Sequence, residues 1–427
     1  MILAYRILTK LIYPFLFILI FLRIMFKKED PKRYKEKILV SHFDVKRNQA
    51  NKLIWFHAAS IGELKSILPI IKNLNSNITG LDFLVTTNTL SSSIVARLEF
   101  KKFENVLHRF FPFDIEYLIK KFLKLWSPNF IFLVDSEIWP NLIFNAHKLK
   151  IPIAIINARI TFKSFSRWML FPKTAKTIFS LFDLCLAANS ETEIFLKKLN
   201  VKKVYNNGNI KFINQADEND DTDQNENFLQ NIKFWVAAST HAGEEELCLK
   251  THLLLKKSNN NIYTIIAPRH IERSQDIKEL CRKNRLNFQI LNNNQLIDSK
   301  KEIIILNSFG ILKNYFKYAK SVFIGKSTIK KLEDDGGQNP LEAARLKCKI
   351  YHGPYVNNFR EIYEVLEKKN ISNKIEDYKD LSNYISKDFE ANKKGDERIS
   401  KVIDDLGNKT LVDTLKHINN FILNENK

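Results

Sequence analysis

From Leu53 onward, short apolar runs alternate with longer amphipathic stretches, and no other feature limits the fold of this chain as tightly. A short, wholly apolar run suits a strand buried on both faces, and an amphipathic stretch between two such runs supplies the helical crossover that parallel pairing needs. The pattern predicts strands at 53–57, 81–86, 106–111, 129–134, 151–156 and 184–188. A polar, acidic segment without periodicity comes next at 214–227 (NQADENDDTDQNEN) and reads as a surface linker. The alternation then restarts, with strands expected at 234–238, 262–267, 302–306, 321–324 and 349–352. The two halves open alike, Ala58-Ala59-Ser60 before Gly62-Glu63 and Ala237-Ala238-Ser239 before Gly243-Glu244. At 427 residues and 45% hydrophobic content the chain can bury two cores. The fold class expected is α/β, with two doubly wound, Rossmann-like domains and a ligand cleft between them. Their bounds are expected at 40–213 and 231–427, with 214–230 as the linker.

Several chemistries are excluded early. Neither half carries G-x-G-x-x-G or G-x-x-x-x-G-K-[ST], so no nicotinamide cofactor and no P-loop nucleotide is signalled. Cys185, Cys248, Cys281 and Cys348 lie far apart with no C-x-x-C pair, which argues for small core residues in a reducing compartment rather than zinc ligands or disulfides. Metal-ligand spacing is absent, and His241 and His270 read as isolated site or surface histidines. The formal net charge of +20 calls for an anionic partner: nucleic acid, lipid headgroups or a phosphorylated substrate. Lys and Arg are dispersed and no nucleic-acid-binding signature accompanies them, so nucleic acid fits worst.

A membrane surface fits better because residues 11–26 (LIYPFLFILIFLRIMF) are almost wholly apolar and precede Lys27, Lys28, Lys32, Arg33, Lys35 and Lys37. Basic residues on that side keep the body of the chain in the cytoplasm. The uninterrupted run, 11–22, falls short of the about 20 residues that span a bilayer; counting from Ile2 to Phe26 reaches that length only by including Arg6, Lys10 and Arg23, and Pro14 is expected to kink it. Residues 1–28 are therefore expected to anchor the chain, either as a signal anchor with snorkelling ends or as a helix lying in the interface.

Five segments carry candidate chemistry. His57-Ala58-Ala59-Ser60-Ile61-Gly62-Glu63 ends the first strand and opens a helix, so Glu63 is either the far member of an S-x-x-E capping box, reaching back to the Ser60 amide, or a carboxylate placed for catalysis. Asp135 and Glu137 close the strand FIFLV, where two acids need a cationic or hydroxyl-bearing partner unless Glu137 serves only the next helix's first turn. Arg269 emerges at another strand end, after Ala267-Pro268, where an anion would bind. In Gly336-Gly337-Gln338-Asn339-Pro340-Leu341-Glu342, Asn339 is expected as N-cap with Pro340 in first helical position, leaving amides for a phosphate and Glu342 for a ribose. Lys211, in Gly208-Asn209-Ile210-Lys211, lies at the end of the first half, where it is expected to be able to point into the cleft, though alone it would pass for a solvated lysine.

In order along the chain, HAASIGE (57–63), DSEIWPNL (135–142), NAR (157–159), ASTHAGEE (238–245), APRHIER (267–273) and GGQNPLEAA (336–344) resemble the motifs of the 3-deoxy-D-manno-octulosonic acid (Kdo) transferases of lipopolysaccharide synthesis. The resemblance covers nearly the whole chain and implies a glycosyltransferase of the GT-B type, using CMP-Kdo as donor and the lipid A precursor (lipid IVA) as acceptor at the cytoplasmic face of the inner membrane, without metal or cofactor. It implies Glu63 as general base and Asp135 with Lys211 as the pair stabilising the transition state. Pro268 with Arg269, the stretch Phe309, Gly310 and Ile311, and the stretch Asn339, Pro340, Leu341 and Glu342 are similar to CMP-contacting segments. Asp135 stands where that family more often has Glu, and Ile311 where Glu is usual. Two other functions remain compatible with the sequence: a GT-B transferase acting on another lipid-linked sugar, and a basic membrane-surface protein without catalysis.

Overall fold

The computed structural model describes residues 2–43, 47, 49–213, 224–308, 310–391 and 396–424. The chain divides into two compact units, Met1–Gln215 with Leu406–Lys427, and Ala216–Asp405. Most of the expected linker lies outside the described residues.

Unit one is built on a seven-stranded, wholly parallel sheet of β1 (Lys52–His57), β2 (Leu81–Thr87), β3 (Val106–Phe110), β4 (Phe130–Val134), β5 (Ile153–Ala158), β6 (Leu184–Ala187) and β7 (Val204–Asn206). Their order, β3-β2-β1-β4-β5-β6-β7, reverses direction between β1 and β4. That reversal opens a crevice at the carboxyl ends of those two strands, where open α/β sheets bind ligands. Side chains alternate between two buried layers, which is why these strands read as unbroken apolar runs. Leu53, Trp55, Ile131, Leu133, Ile153 and Ile155 join one cluster beneath the helices Glu116–Trp126, Pro140–Lys148 and Pro172–Phe179. Ile54, Phe56, Phe130, Phe132 and Val134 join the other, beneath Ile61–Asn77. Leu415, Ile418, Phe421 and Ile422 of the last helix, Glu397–Asn424, complete this second layer, with Phe421 edge-on to Phe130 and Phe132. Gly407 permits the approach, since a Cβ there would stand 2.2 Å from the Phe212 carbonyl oxygen.

Unit two repeats the architecture with β8 (Lys233–Thr240), β9 (Ile262–Pro268), β10 (Phe288–Leu291), β11 (Ile303–Leu306), β12 (Ser321–Ile324), β13 (Lys349–His352) and β14 (Ser372–Lys374). All pairings are parallel, in the order β10-β11-β9-β8-β12-β13-β14. All eleven strands expected from periodicity are present. The three unexpected ones, β7, β10 and β14, are short edge strands; edges are buried less, so VYN, FQIL and SNK carry too little apolar pattern to show.

The helix Ile2–Met25 runs through Pro14 and, by length and composition, is the one described helix able to cross a membrane. At 1.5 Å per residue it is about 36 Å long. It is tied to unit one along that length: Tyr5 Oη donates to Asp114 Oδ2 (2.8 Å), Arg6 pairs with Glu116 (3.5 Å), Tyr13 Oη donates to the Ile38 carbonyl (2.7 Å) and Arg23 Nε donates to Glu29 (3.3 Å). Glu29 also receives the buried Lys37 ammonium at 2.7 Å. Its other faces leave Leu3, Leu11, Phe15, Ile18 and Phe21 exposed.

Candidate active site

At the carboxyl end of β1, Ser60 is extended (φ −114°, ψ 164°) and its Oγ accepts the Glu63 amide at 3.3 Å, starting the helix Ile61–Asn77. The capping box differs from the expected one in its return contact. Glu63 Oε2 accepts from the Ala59 amide (2.7 Å) rather than the Ser60 amide, while Oε1 accepts from the Ser60 hydroxyl (2.8 Å). The carboxylate is thus folded back toward the strand end. Burial, then the charges of Asp135 and Glu137, push Glu63 up to about 7 against the lowering effect of its two hydrogen bonds. A carboxylate with that value is poised as a base at neutral pH.

Asp135 follows β4 with φ +63°, a left-handed conformation that Asp tolerates better than most residues. Its Oδ2 accepts from Lys211 Nζ at 3.0 Å and its Oδ1 from the Ser136 hydroxyl at 3.1 Å. Lys211 reaches it because two asparagines fix the turn Ile210–Phe212. Asn209 Oδ1 takes the Lys211 amide and Asn157 Oδ1 the Ile210 amide, both at 3.0 Å. Asn157 belongs to the NAR segment, also left-handed at φ +56°, so that motif shapes the turn that carries the lysine. Lys211 is therefore no ordinary surface lysine.

Glu137 does not merely open the next helix. It accepts from Trp139 Nε1 (2.8 Å) and lies 3.2 Å from His57 Nε2, while His57 Nδ1 meets the Thr86 hydroxyl (3.0 Å), which in turn takes Trp55 Nε1–H (2.9 Å). Because the carboxylate only accepts, His57 Nε2 is the donor to Glu137, while Nδ1 faces both the Thr86 hydroxyl and, at 3.2 Å, the Thr86 carbonyl. Phe111 stacks on the imidazole at 4.0 Å. The role of His57 and Trp139 was not legible from sequence, although both flank the acids within the motifs named above; the available signal was that β1 and β4 end side by side.

In unit two, Pro268 is the last residue of β9, and Arg269, exposed, is fixed by its amide on the Thr240 carbonyl (3.0 Å). His241 and His270, expected to be isolated, meet edge to face at 5.9 Å beside it. Gly310 is left-handed (φ +82°), Ile311 precedes the short helix Leu312–Phe316, and Phe309 lies outside the described residues. The helix expected to start at Pro340 starts one residue later, Leu341–Arg345, with Asn339 Oδ1 taking the Leu341 amide at 3.0 Å. Leu341 is buried and its amide is used, and Pro340 has none to give, so Asn339 and Glu342 are the exposed members of this segment. Close packing holds it: a Cβ on Gly336 would stand 2.3 Å from the Tyr355 carbonyl, and Tyr363 Oη donates to the Gln338 carbonyl (2.9 Å). Among the described residues, no group of three or more His, Cys, Asp or Glu is placed to hold a metal ion.

A family model described as 3-deoxy-D-manno-octulosonic-acid transferase (kdotransferase) matches residues 32–214. A 3-deoxy-D-manno-octulosonic acid transferase of Rickettsia bellii is 32% identical over 374 residues, 86% of this chain and 85% of that one. One of Haemophilus influenzae is 30% identical over 326 residues, 73% of each chain. This chain belongs to the Kdo transferase family. Among solved structures, a UDP-GlcNAc 2-epimerase from Neisseria meningitidis (TM-score 0.59, 13% identity, 87% of this chain and 100% of that one) and a glycosyltransferase from Rickettsia africae (TM-score 0.54, 13% identity, 87% and 99%) share the fold.

In this Kdo transferase the two similar half-openings end in glutamates with opposite fates. Glu244 is fully buried and accepts five hydrogen bonds, from the amides of His241, Lys326, Ser327 and Thr328 and from the Thr328 hydroxyl, at 2.7 to 3.0 Å. It ties β8 to the loop after β12. Its neighbour Glu245 is clasped by Arg273 through Nε and Nη2, both at 3.1 Å. The Glu63 carboxylate accepts two hydrogen bonds among the described residues, and its basicity is raised.

Proposed function

We propose that this Kdo transferase moves Kdo from CMP-Kdo to the lipid A precursor (lipid IVA) by single displacement, with Glu63 as general base. The observation carrying this reading is the Glu63 carboxylate, raised to about 7 at a strand's carboxyl end with the Asp135–Lys211 pair acting nearby. The acceptor hydroxyl oxygen attacks the anomeric carbon, and its proton passes to Glu63 as the bond forms. The bond from that carbon to the CMP phosphate oxygen breaks, its electron pair leaving with CMP, so the configuration inverts. Positive charge gathering at the sugar is met by Asp135, and the Kdo carboxylate by Lys211. Arg269, the backbone at Gly310 and Ile311, and Asn339 with Glu342 are the groups we assign to CMP. In this reading the charge a divalent ion would offset falls to Arg269.

The N-terminal helix is bound from Tyr5 to Arg23 along the side of unit one, which favours a helix lying in the bilayer interface over one standing free across it. The basic residues after it favour the cytoplasmic face of the inner membrane. The test is mass spectrometry of the lipid after incubation with CMP-Kdo and lipid IVA, with and without EDTA. A mass gain of one or more Kdo units, unchanged by EDTA, is expected; turnover with UDP-sugars alone, or none without added metal, would overturn the reading.

A further inference from the structure

The connection from β5 to β6 carries a surface that holds none of the residues assigned above to transfer. Its helices, Phe162–Trp168 and Pro172–Phe179, and the link between them leave Phe162, Leu170 and Phe171 exposed at 68, 72 and 54%, the Leu170 value being the highest for a large apolar side chain among the described residues. From 159 to 182 there is no Asp or Glu, while Arg159, Lys163, Arg167, Lys173 and Lys176 fall within it. The tip is nonetheless firmly rooted. Phe165 stacks on Phe195 at 4.4 Å and Trp168 meets Phe179 edge-on at 5.2 Å. Two clefts of about 330 and 400 Å³ share Arg167, one walled by Trp168 and Phe171, the other by Phe162 and Leu170. Each sets a cation at the rim of an apolar wall.

We propose that this tip is a second membrane-contacting element, seating its apolar side chains among the acyl chains and its basic ones on anionic phosphate headgroups. The inference deepens the membrane placement above and rests on it. Continuity with the N-terminal helix supports a bilayer as the occupant: Tyr13 and Leu16 of that helix pack on the same core cluster as Phe165 and Trp168, so both elements belong to one layer of unit one. A second copy of the chain would bring a like-charged surface onto the patch, whereas anionic lipid neutralises it.

The four native cysteines are buried, so a single introduced cysteine can be labelled on the full-length protein. We expect an environment-sensitive dye on Leu170→Cys to shift to the blue, and to be quenched by brominated acyl chains, when phosphatidylcholine vesicles containing phosphatidylglycerol are added. The same dye on Ser76→Cys, exposed on the helix Ile61–Asn77 over the opposite face of the sheet, should not respond. Arg167→Glu with Lys173→Glu should weaken the phosphatidylglycerol-dependent signal at least about tenfold. Protein that sediments with vesicles while the Leu170 dye stays water-like would overturn the proposal and leave the N-terminal helix as the anchor. A blue shift without lipid that grows with protein concentration would assign the patch to a second copy and overturn it equally. Wild type that fails to sediment would overturn the membrane placement itself, and this proposal with it.

Discussion

Glu63→Gln should cripple transfer and yet, above neutral pH, stabilise the protein. Below about pH 4.5 the carboxyl is protonated in both native and unfolded chains, and burying it costs little. Between 4.5 and about 7 the unfolded chain gives up its proton while the native one keeps it, so stability falls as pH rises. At 1.36 kcal/mol per pKa unit, the full cost reached above pH 7 is about 3 kcal/mol. Glutamine carries no charge and escapes that cost, but it has one acceptor oxygen for the Ala59 amide and the Ser60 hydroxyl, which forfeits about 1 kcal/mol. The net effect is a gain of about 2 kcal/mol at pH 8 and a loss of about 1 kcal/mol near pH 4.5, where only the missing acceptor counts. For a unit of this size that corresponds to a Tm higher by about 4 to 8 °C at pH 8. Melting curves of wild type and variant in detergent at both pH values measure it. Wild-type kcat/KM should rise with pH to a plateau with its midpoint near 7, and the variant should lose about 10²- to 10⁴-fold in turnover. An equal Tm change at both pH values, or a variant that transfers Kdo at close to the wild-type rate, would refute the reasoning.

Lys211→Met leaves Asp135 without its 3.0 Å partner, and a fall in kcat of about a hundredfold with a smaller change in KM is expected from steady-state kinetics. Lys211→Arg should recover part of it. His57→Phe removes the hold of Nε2 on Glu137; crystallography of the variant should find Glu137 displaced, and activity should fall about tenfold while His57→Gln, which can still donate, retains more. Glu244→Gln sets an amide against buried donors in unit two and should cost about 3 kcal/mol in urea titration, with CMP binding by calorimetry lost, the reverse of the expected outcome at Glu63.

The sequence alone determined the elements that depend on local pattern. Runs such as LIWF and FIFLV are apolar at every position because both faces of their strands are covered, so strands and turns could be read residue by residue. It also carried the motif residues, Glu63, Asp135 and Lys211 among them. Local pattern could not say which glutamate of two like turns stays available, since Glu63 and Glu244 follow near-identical openings. Tertiary structure decided that: the loop after β12 supplies three amides and a hydroxyl to Glu244, whereas the crevice between β1 and β4 brings Asp135 and Glu137 to bear on Glu63. Likewise, nothing in the apolar period of residues 406–424 announced that they complete the core of unit one. The reason is the same in both cases. Periodicity is a property of neighbours along the chain, but burial, charge coupling and the basicity they set are properties of neighbours in space, and sheet order alone brings those together.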